Sequence, residues 1–510
     1  MTDSPQEAAY DVIVIGSGVG GLSAGAMLAS AGRSVLVVEQ GEGPGGYAHA
    51  FKRGKYTFDP AISVFPQGHP DALPAATLEY LGVADVCRFI PLESNYRAVF
   101  PDFQIETPFG LDEFTEVHCE HFPSEAGKIR EFFELCRKLH KEAHELPPQL
   151  GLAGLDEAAR QYPVLFRYIK ANTGEALDEY FEDPLLKGVA SVAWPYLGSP
   201  PSRLDFVTFS TVLSVYLEGC FYPQGGFQSL ADALHAGLER HGGELVLGRR
   251  VTRIVVEDGS AAAIELEGGD RVRAERVISN ADATATFEEL VGPEHLPGGF
   301  LKRTRRMKPS LSAVIVFIAT SLDLRAQGAV HEVFRPLHAD HDKPYADILA
   351  GRPGGMFGTV PTLADPSLAP EGEHILTVHS LAPFEPEGSS WEERAESYAD
   401  EVVDAYEAVF PGLRDSITFR EVATPNALHR HSLNRGGAAY GWENIPTQTG
   451  GKRSPHMPPL EGLFLSGHWT QPGTGSLRAF VSGMHTAQMV LRSMDLPGIE
   501  FDHPDFPPPM

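Results

Sequence analysis

The residues best placed to do chemistry lie at the start of the chain. Gly16-Ser17-Gly18-Val19-Gly20-Gly21 contains the spacing Gly-x-Gly-x-x-Gly. Gly16 suits a tight turn, Gly18 lets backbone amides approach a pyrophosphate, and Gly21 lets a helix pack closely on a strand. An anion held there, against Val19 and Gly20, would rest on the positive end of the following helix. Glu39 stands 18 residues beyond Gly21, near the ~20 at which a carboxylate accepts from ribose hydroxyls and repels a 2′-phosphate. Gln40 follows, and Gly45 and Gly46 make the next loop permissive enough to approach a phosphate or a flat ring edge.

Those residues need elements to hold them. Asp11-Val-Ile-Val-Ile15 reads as a buried parallel strand, Leu22 to Ala31 as a helix ending at Gly32, and Ser34 to Val38 as a second strand. Val12 to Gly32 is uncharged over 21 residues, long enough for a membrane span. Its six glycines argue for strand, turn and helix instead. Near the other end, Leu463 to Leu465 reads as a strand entering a Gly/Pro-rich turn, with a helix from Ser476. Between them, Phe221-Tyr-Pro-Gln-Gly-Gly226 leads toward a helix over 230–241, and Glu244 to Ile254 reads as one strand. Glu125 to Leu150 is charged and helix-like. Phe206 to Leu217 is apolar almost throughout, as in a core helix or a tunnel wall. Pro309 to Ile318 reads as a strand of a second sheet, and Ser493 to Met510, with five prolines, as a wandering tail.

Together with Phe58-Asp59, these landmarks resemble the phytoene desaturase, carotenoid isomerase and retinol saturase group of the amine-oxidase-like FAD superfamily, from about residue 10 to residue 492. The resemblance implies an α/β fold: a discontinuous Rossmann-like FAD-binding domain (1–75, 220–295 and 455–492) and an α+β substrate domain with a mixed sheet and helical cap (76–219 and 296–454), before a tail over 493–510. It implies FAD as cofactor, with Val251 offering main-chain groups to the adenine and Gly467-His468 lying along the ribityl chain. Gly475 and Ser476 would open a helix aimed at the flavin's N1/O2 edge. Two departures stand out: His468 replaces the family's usual Asp, and Pro60-Ala61 stands where the family tends to x-Gly. No cysteine lies in the C-terminal flavin segment, so no thioether to the flavin is expected. In the segment that resembles the one crossing near the flavin ring, Tyr440 and Glu443 are the acid/base candidates. A glycine-rich loop packed under the flavin is the plainer reading of that segment.

The function implied is hydride exchange between flavin N5 and an apolar, polyene or isoprenoid-like substrate, giving desaturation, saturation or isomerisation. A flavin amine or amino-acid oxidase and a non-catalytic flavin-binding protein are the alternatives. Composition agrees with a globular protein, at 42% hydrophobic and 21% charged residues. A formal charge of −27 disfavours nucleic acid and anionic lipid. The exception is Lys302-Arg-Thr-Arg-Arg-Met-Lys308, which reads as a solvated helix face or as a patch for peripheral membrane contact. Four unpaired cysteines and a polar, acidic opening without a signal-peptide pattern fit a reducing cytoplasm. No metal site is expected: His429 and His431 lack helical ligand spacing, and no HExxH or CxxC occurs.

Overall fold

This is a computed structural model, and it describes residues 9–146 and 154–506. Val12, Ile13 and Val14 are wholly buried, as a strand must be when helices cover both faces of a parallel sheet. Their strand, Ala9–Ile15, pairs in parallel with Val35–Val38 on one side and Arg271–Ser279 on the other. The seven-stranded sheet runs Glu244–Val246, Val35–Val38, Ala9–Ile15, Arg271–Ser279, Ser260–Leu266, Val251–Glu257. Leu463–Leu465 joins in parallel beside residues 277–279 of Arg271–Ser279. Strands from the start, middle and end of the chain therefore share one sheet.

The first helix, Val19–Ser30, is buried from Val19 through Ala29. It can be so only because its residues are small where it packs between the helix Gln228–Arg240 and the closing helix Ser476–Ser493.

The expected single strand over 244–254 is in fact two. Glu244–Val246 runs parallel to Val35–Val38, whereas Val251–Glu257 turns away to pair antiparallel with Ser260–Leu266. The bend is made by backbone bonds to the loop after the second strand. Gly248 N–H donates to the Gly41 carbonyl at 2.9 Å and Arg249 N–H to the Glu39 carbonyl at 2.9 Å.

A second seven-stranded sheet runs Ile417–Ala423, Ser312–Thr320, His374–Ala382, Met356–Thr359, Glu332–Phe334, Tyr96–Val99, Gln104–Thr107. All its pairings are antiparallel except Glu332–Phe334 with Tyr96–Val99. Ser312–Thr320 is buried at every position, the mark of a central strand packed on both faces. Helices flank this sheet, among them Ala126–Glu145 and Phe206–Leu217. The former begins one residue later than expected, and Leu150 lies outside the described residues. Phe206, Phe209, Leu213 and Leu217 enter the core, while Tyr216 on the same helix faces the cavity described below. The run is chiefly core, and Tyr216 brings its edge to the cavity wall.

The C-terminal segment does not wander over its described part. Ile499 and Phe506 are buried, and the Gln488 amide pairs with both backbone groups of Ile499 at 3.2 and 3.0 Å. Phe501 packs on Tyr80 and Phe506 at 5.0 and 5.1 Å between ring centroids. Apolar side chains outweigh the prolines here. Pro507 to Met510 lie outside the described residues. In the helix Gly298–Arg306, Lys302, Arg303, Arg305 and Arg306 are exposed while Leu301 is buried and Phe300 packs edge-on against Phe287. The surface of this helix is charged, and its apolar side chains face inward.

Candidate functional site

The glycine turn and the C-terminal bend meet. A Cβ on Gly20 would fall 2.8 Å from the Cα of Gly467, so only glycine allows this approach. Ser466 Oγ donates to the Gly20 carbonyl at 2.8 Å, and Asn280 Nδ2 donates to the Ser466 carbonyl at 3.0 Å. Above the turn, the second glycine loop lies close against it: Gly45 N–H donates to the Ser17 carbonyl at 2.9 Å, and a Cβ on Gly46 would stand 3.0 Å from Gly18 Cα. Glu39 ties the two loops. One carboxylate oxygen accepts from Ser17 N–H and Ser17 Oγ, both at 2.8 Å, and the other from Gly41 N–H at 2.8 Å.

These residues line one cavity of about 970 Å³. Of the residues singled out in the sequence, Gly16, Gly18, Val19, Gly20, Glu39, Gln40, Gly45, Gly46, Val251, Tyr440, Gly467, His468, Gly475 and Ser476 stand along it. Gly21 does not, because it faces the turn, where a methyl group would run into the Gly16 carbonyl oxygen. Two helix N-termini open on the cavity, at Gly18 and at Gly475. Neither has a side-chain cap or an acidic residue in its first turn. Their first N–H groups are therefore free to donate to an anion or a polarised carbonyl. A long cofactor with a pyrophosphate in its middle and an acceptor-rich ring at one end fits that arrangement.

His468 keeps one ring nitrogen within 3.5 Å of the Asn434 amide, and burial with Arg453 nearby pushes its pKa down to about 3. It is a neutral imidazole. Arg453 itself is 2% exposed and donates to the His468 carbonyl at 2.7 Å and Asn444 Oδ1 at 3.2 Å. Burial pushes its own pKa down to about 9.

Glu443 requires correction as an acid/base candidate. It is not among the lining residues, and its Oε1 accepts from Arg203 Nε and Nη2 at 2.9 and 2.6 Å. Tyr440 does line the cavity, but its hydroxyl donates to the Pro195 carbonyl at 2.8 Å. It anchors the turn Trp194–Leu197, which carries a residue that the sequence reading passed over. Tyr196 lines the cavity together with Tyr216, Phe357 and His379. Its ring centroid lies 5.6 Å from Tyr216 and 4.8 Å from Phe357, and Phe357 stacks on His379 at 4.7 Å. Behind it, the Tyr196 hydroxyl bonds to Glu332. Asp59 turns out to be a bracing residue: it accepts from Phe227 N–H at 2.9 Å and from the Tyr222 hydroxyl.

The flavin containing amine oxidoreductase family matches residues 19–491. The chain belongs to that family. Its cofactor is FAD, and it is an oxidoreductase. The chain is 30% identical to prolycopene isomerase 1 of an Oncidium hybrid cultivar, over 96% of this chain and 84% of that protein. It is 27% identical to a neurosporene-forming phytoene desaturase of Rhodobacter capsulatus, over 94% of this chain and 93% of the other. Among solved structures, cyclohexylamine oxidase of Brevibacterium oxydans superposes with a TM-score of 0.62 over 95% of this chain and 99% of that one. At 14% identity it shares the fold alone. Among the described residues, no helix of this family member is long and apolar enough to cross a membrane.

Proposed function

We propose that the protein uses FAD to isomerise the double bonds of a long, apolar polyene of carotenoid type, with no net gain or loss of hydrogen. The observation that carries this reading is the division of the cavity wall. Its charged residues, Glu39, Glu42, Arg249, Arg250, Asp282 and Glu289, all belong to the nucleotide sheet and its loops. The lining residues of the second sheet, Ala313, Ile315, Phe357, His379 and Leu381, carry no charge: burial pushes the pKa of His379 down to about 4. A cationic amine would find no carboxylate there, whereas flat aromatic and branched side chains suit a conjugated hydrocarbon. The identity to prolycopene isomerases over nearly the whole chain supports isomerisation over desaturation.

FAD, when bound, supplies the capacity to accept and return a hydride. The protein's own residues would hold it and shape the space beside it. Gly18, Gly20 and Gly46 would bring backbone amides close, and Glu39 would accept from ribose hydroxyls. The N-terminus of the closing helix favours negative charge, and Tyr440 fixes the wall. The exposed cations of the helix Gly298–Arg306 would meet a lipid surface mainly by charge, since Leu301 is buried and Phe300 half-buried against Phe287.

The test is to mix purified holoenzyme anaerobically with prolycopene, phytoene and a panel of amines. Products are separated by chromatography and their masses measured. Prolycopene should give isomers of unchanged mass. Loss of hydrogen from phytoene would replace isomerisation with desaturation, and flavin bleaching by amines alone would sink the reading.

A further inference from the structure

We propose that Tyr196, backed by Glu332, is the proton donor and acceptor of this site and acts directly on a carbon of the polyene. Tyr196 is the catalytic residue, because its ring lines the cavity. Glu332 is a positioning and proton-storing residue behind it. The inference rests on the isomerase reading and replaces hydride exchange with proton exchange as the step that frees the double bond to rotate.

Glu332 is 1% exposed, on the strand Glu332–Phe334. Its hydrogen-bond partners are hydroxyls: Tyr196 Oη, Thr359 Oγ1 at 3.1 Å, and the Ser63 side chain. On its own strand, His331 stands 3.8 Å away, but its Nε2 donates to the Ser63 carbonyl at 3.0 Å, and burial pushes its pKa down to about 4, so it stays neutral. From the packed elements, Tyr216, Cys220 and Tyr406 interact with the carboxyl, and burial pushes all three up. No Lys or Arg pairs with Glu332 among the described residues. A buried carboxyl without a cation costs several kcal/mol when ionised and is poor packing material. Here it is bonded to a tyrosine that lines the substrate space. Its pKa is pushed up to about 8 by burial, so Glu332 holds a proton at neutral pH that the surrounding phenols and thiol do not release.

The step balances without an oxidant. The Glu332 proton moves to Tyr196 Oη as the Tyr196 proton moves to one carbon of a double bond. The π pair of that bond becomes the new C–H bond. The positive charge left behind spreads along the remaining conjugation, facing the rings of Tyr196, Tyr216 and Phe357. The former double bond is now single and rotates. A proton returns by the same path, and its C–H pair re-forms the double bond in the other geometry. Tyr440 contributes by fixing Pro195, the neighbour of Tyr196.

The test uses the FAD-loaded enzyme, Tyr196→Phe and Glu332→Gln, with prolycopene in heavy water. The wild type should place deuterium in the recovered polyene and lose activity above about pH 8. Each variant should keep its FAD content and circular dichroism, isomerise about 100-fold more slowly, and incorporate no deuterium. Glu332→Gln should also lack the alkaline limb. Unlabelled product from the wild type, or the same pH profile in Glu332→Gln, overturns the inference. Failure of the wild type on every polyene defeats the isomerase reading alone. The pair is then judged on the substrate-free holoenzyme by infrared titration. A protonated-carboxyl stretch lost with a midpoint near pH 8, and missing in Glu332→Gln, sustains it. Absence of that band in the wild type refutes it.

Discussion

At the scale of single residues, what reads directly from sequence is whatever acts through the backbone nearby. Gly16, Gly18, Gly20 and Glu39 do their work within one strand–turn–helix unit, so spacing along the chain is spacing in space. Tyr196 and Glu332 are 136 positions apart, and only the second sheet docking beside the turn Trp194–Leu197 unites them. No spacing rule reports that. Glu443 misled for a similar reason: its partner, Arg203, lies on a distant segment. The Gly20–Gly467 approach gives the sharpest residue-scale prediction. In Gly20→Ala the new methyl must push backbone against backbone, 2.8 Å from the Gly467 Cα. Overpacking of this kind costs about 1–3 kcal/mol and separates the two grips, so the purified variant should show markedly less flavin absorbance per protein. Full FAD occupancy with an unchanged melting temperature would contradict that geometry.

At the scale of elements, uniform patterns were legible and bends were not. The runs Val12–Ile15 and Leu463–Leu465, and the helix beginning at Ser476, stand where apolar runs and turn residues put them. Glu244 to Ile254 reads as one strand, yet backbone bonds from Gly248 and Arg249 to the Glu39 loop fold it in two; that force lies outside the segment. The C-terminal prolines suggested a loose end, but Ile499 and Phe506 found core to join. Two substitutions test individual elements. Gly127 is exposed in the helix Ala126–Glu145 with open space where a Cβ would go, so Gly127→Ala should stabilise the protein by about 0.5–1 kcal/mol. A lower urea midpoint would show the helix to be strained there. Asp282 is 2% exposed and accepts from the N–H groups of Thr284, Ala285 and Arg435 at 2.7, 3.0 and 2.8 Å. Asp282→Ala leaves those donors bare, costing on the order of 3 kcal/mol, and unties the 434–440 segment from the nucleotide sheet. Unaltered urea unfolding would show that water replaces the carboxylate.

At the scale of the whole molecule, buried histidines set the response to acid. Burial pushes His118, His331, His341, His379 and His456 each down to about 4, against about 6.5 in an unfolded chain. Below about pH 6.5 the unfolded state binds more protons, so stability falls with pH until about pH 4. Glu332, raised to about 8, and Asp59, raised to about 6, work oppositely: their stability is present at low pH and lost as pH rises through those values. Five histidines outweigh two carboxyls on the acid side. Calorimetry should show the melting temperature dropping steeply from pH 7 to pH 5, and a flat profile over that interval would disprove the assignment. The nucleotide sheet has a further consequence, for biosynthesis. Of the sheet's strands, Leu463–Leu465 leaves the ribosome last, and at roughly 5–20 residues per second about 22–90 s separate it from the glycine turn. Until then the nascent N-terminal half exposes an unfinished sheet edge to chaperones, and the flavin can be captured only once that strand has emerged.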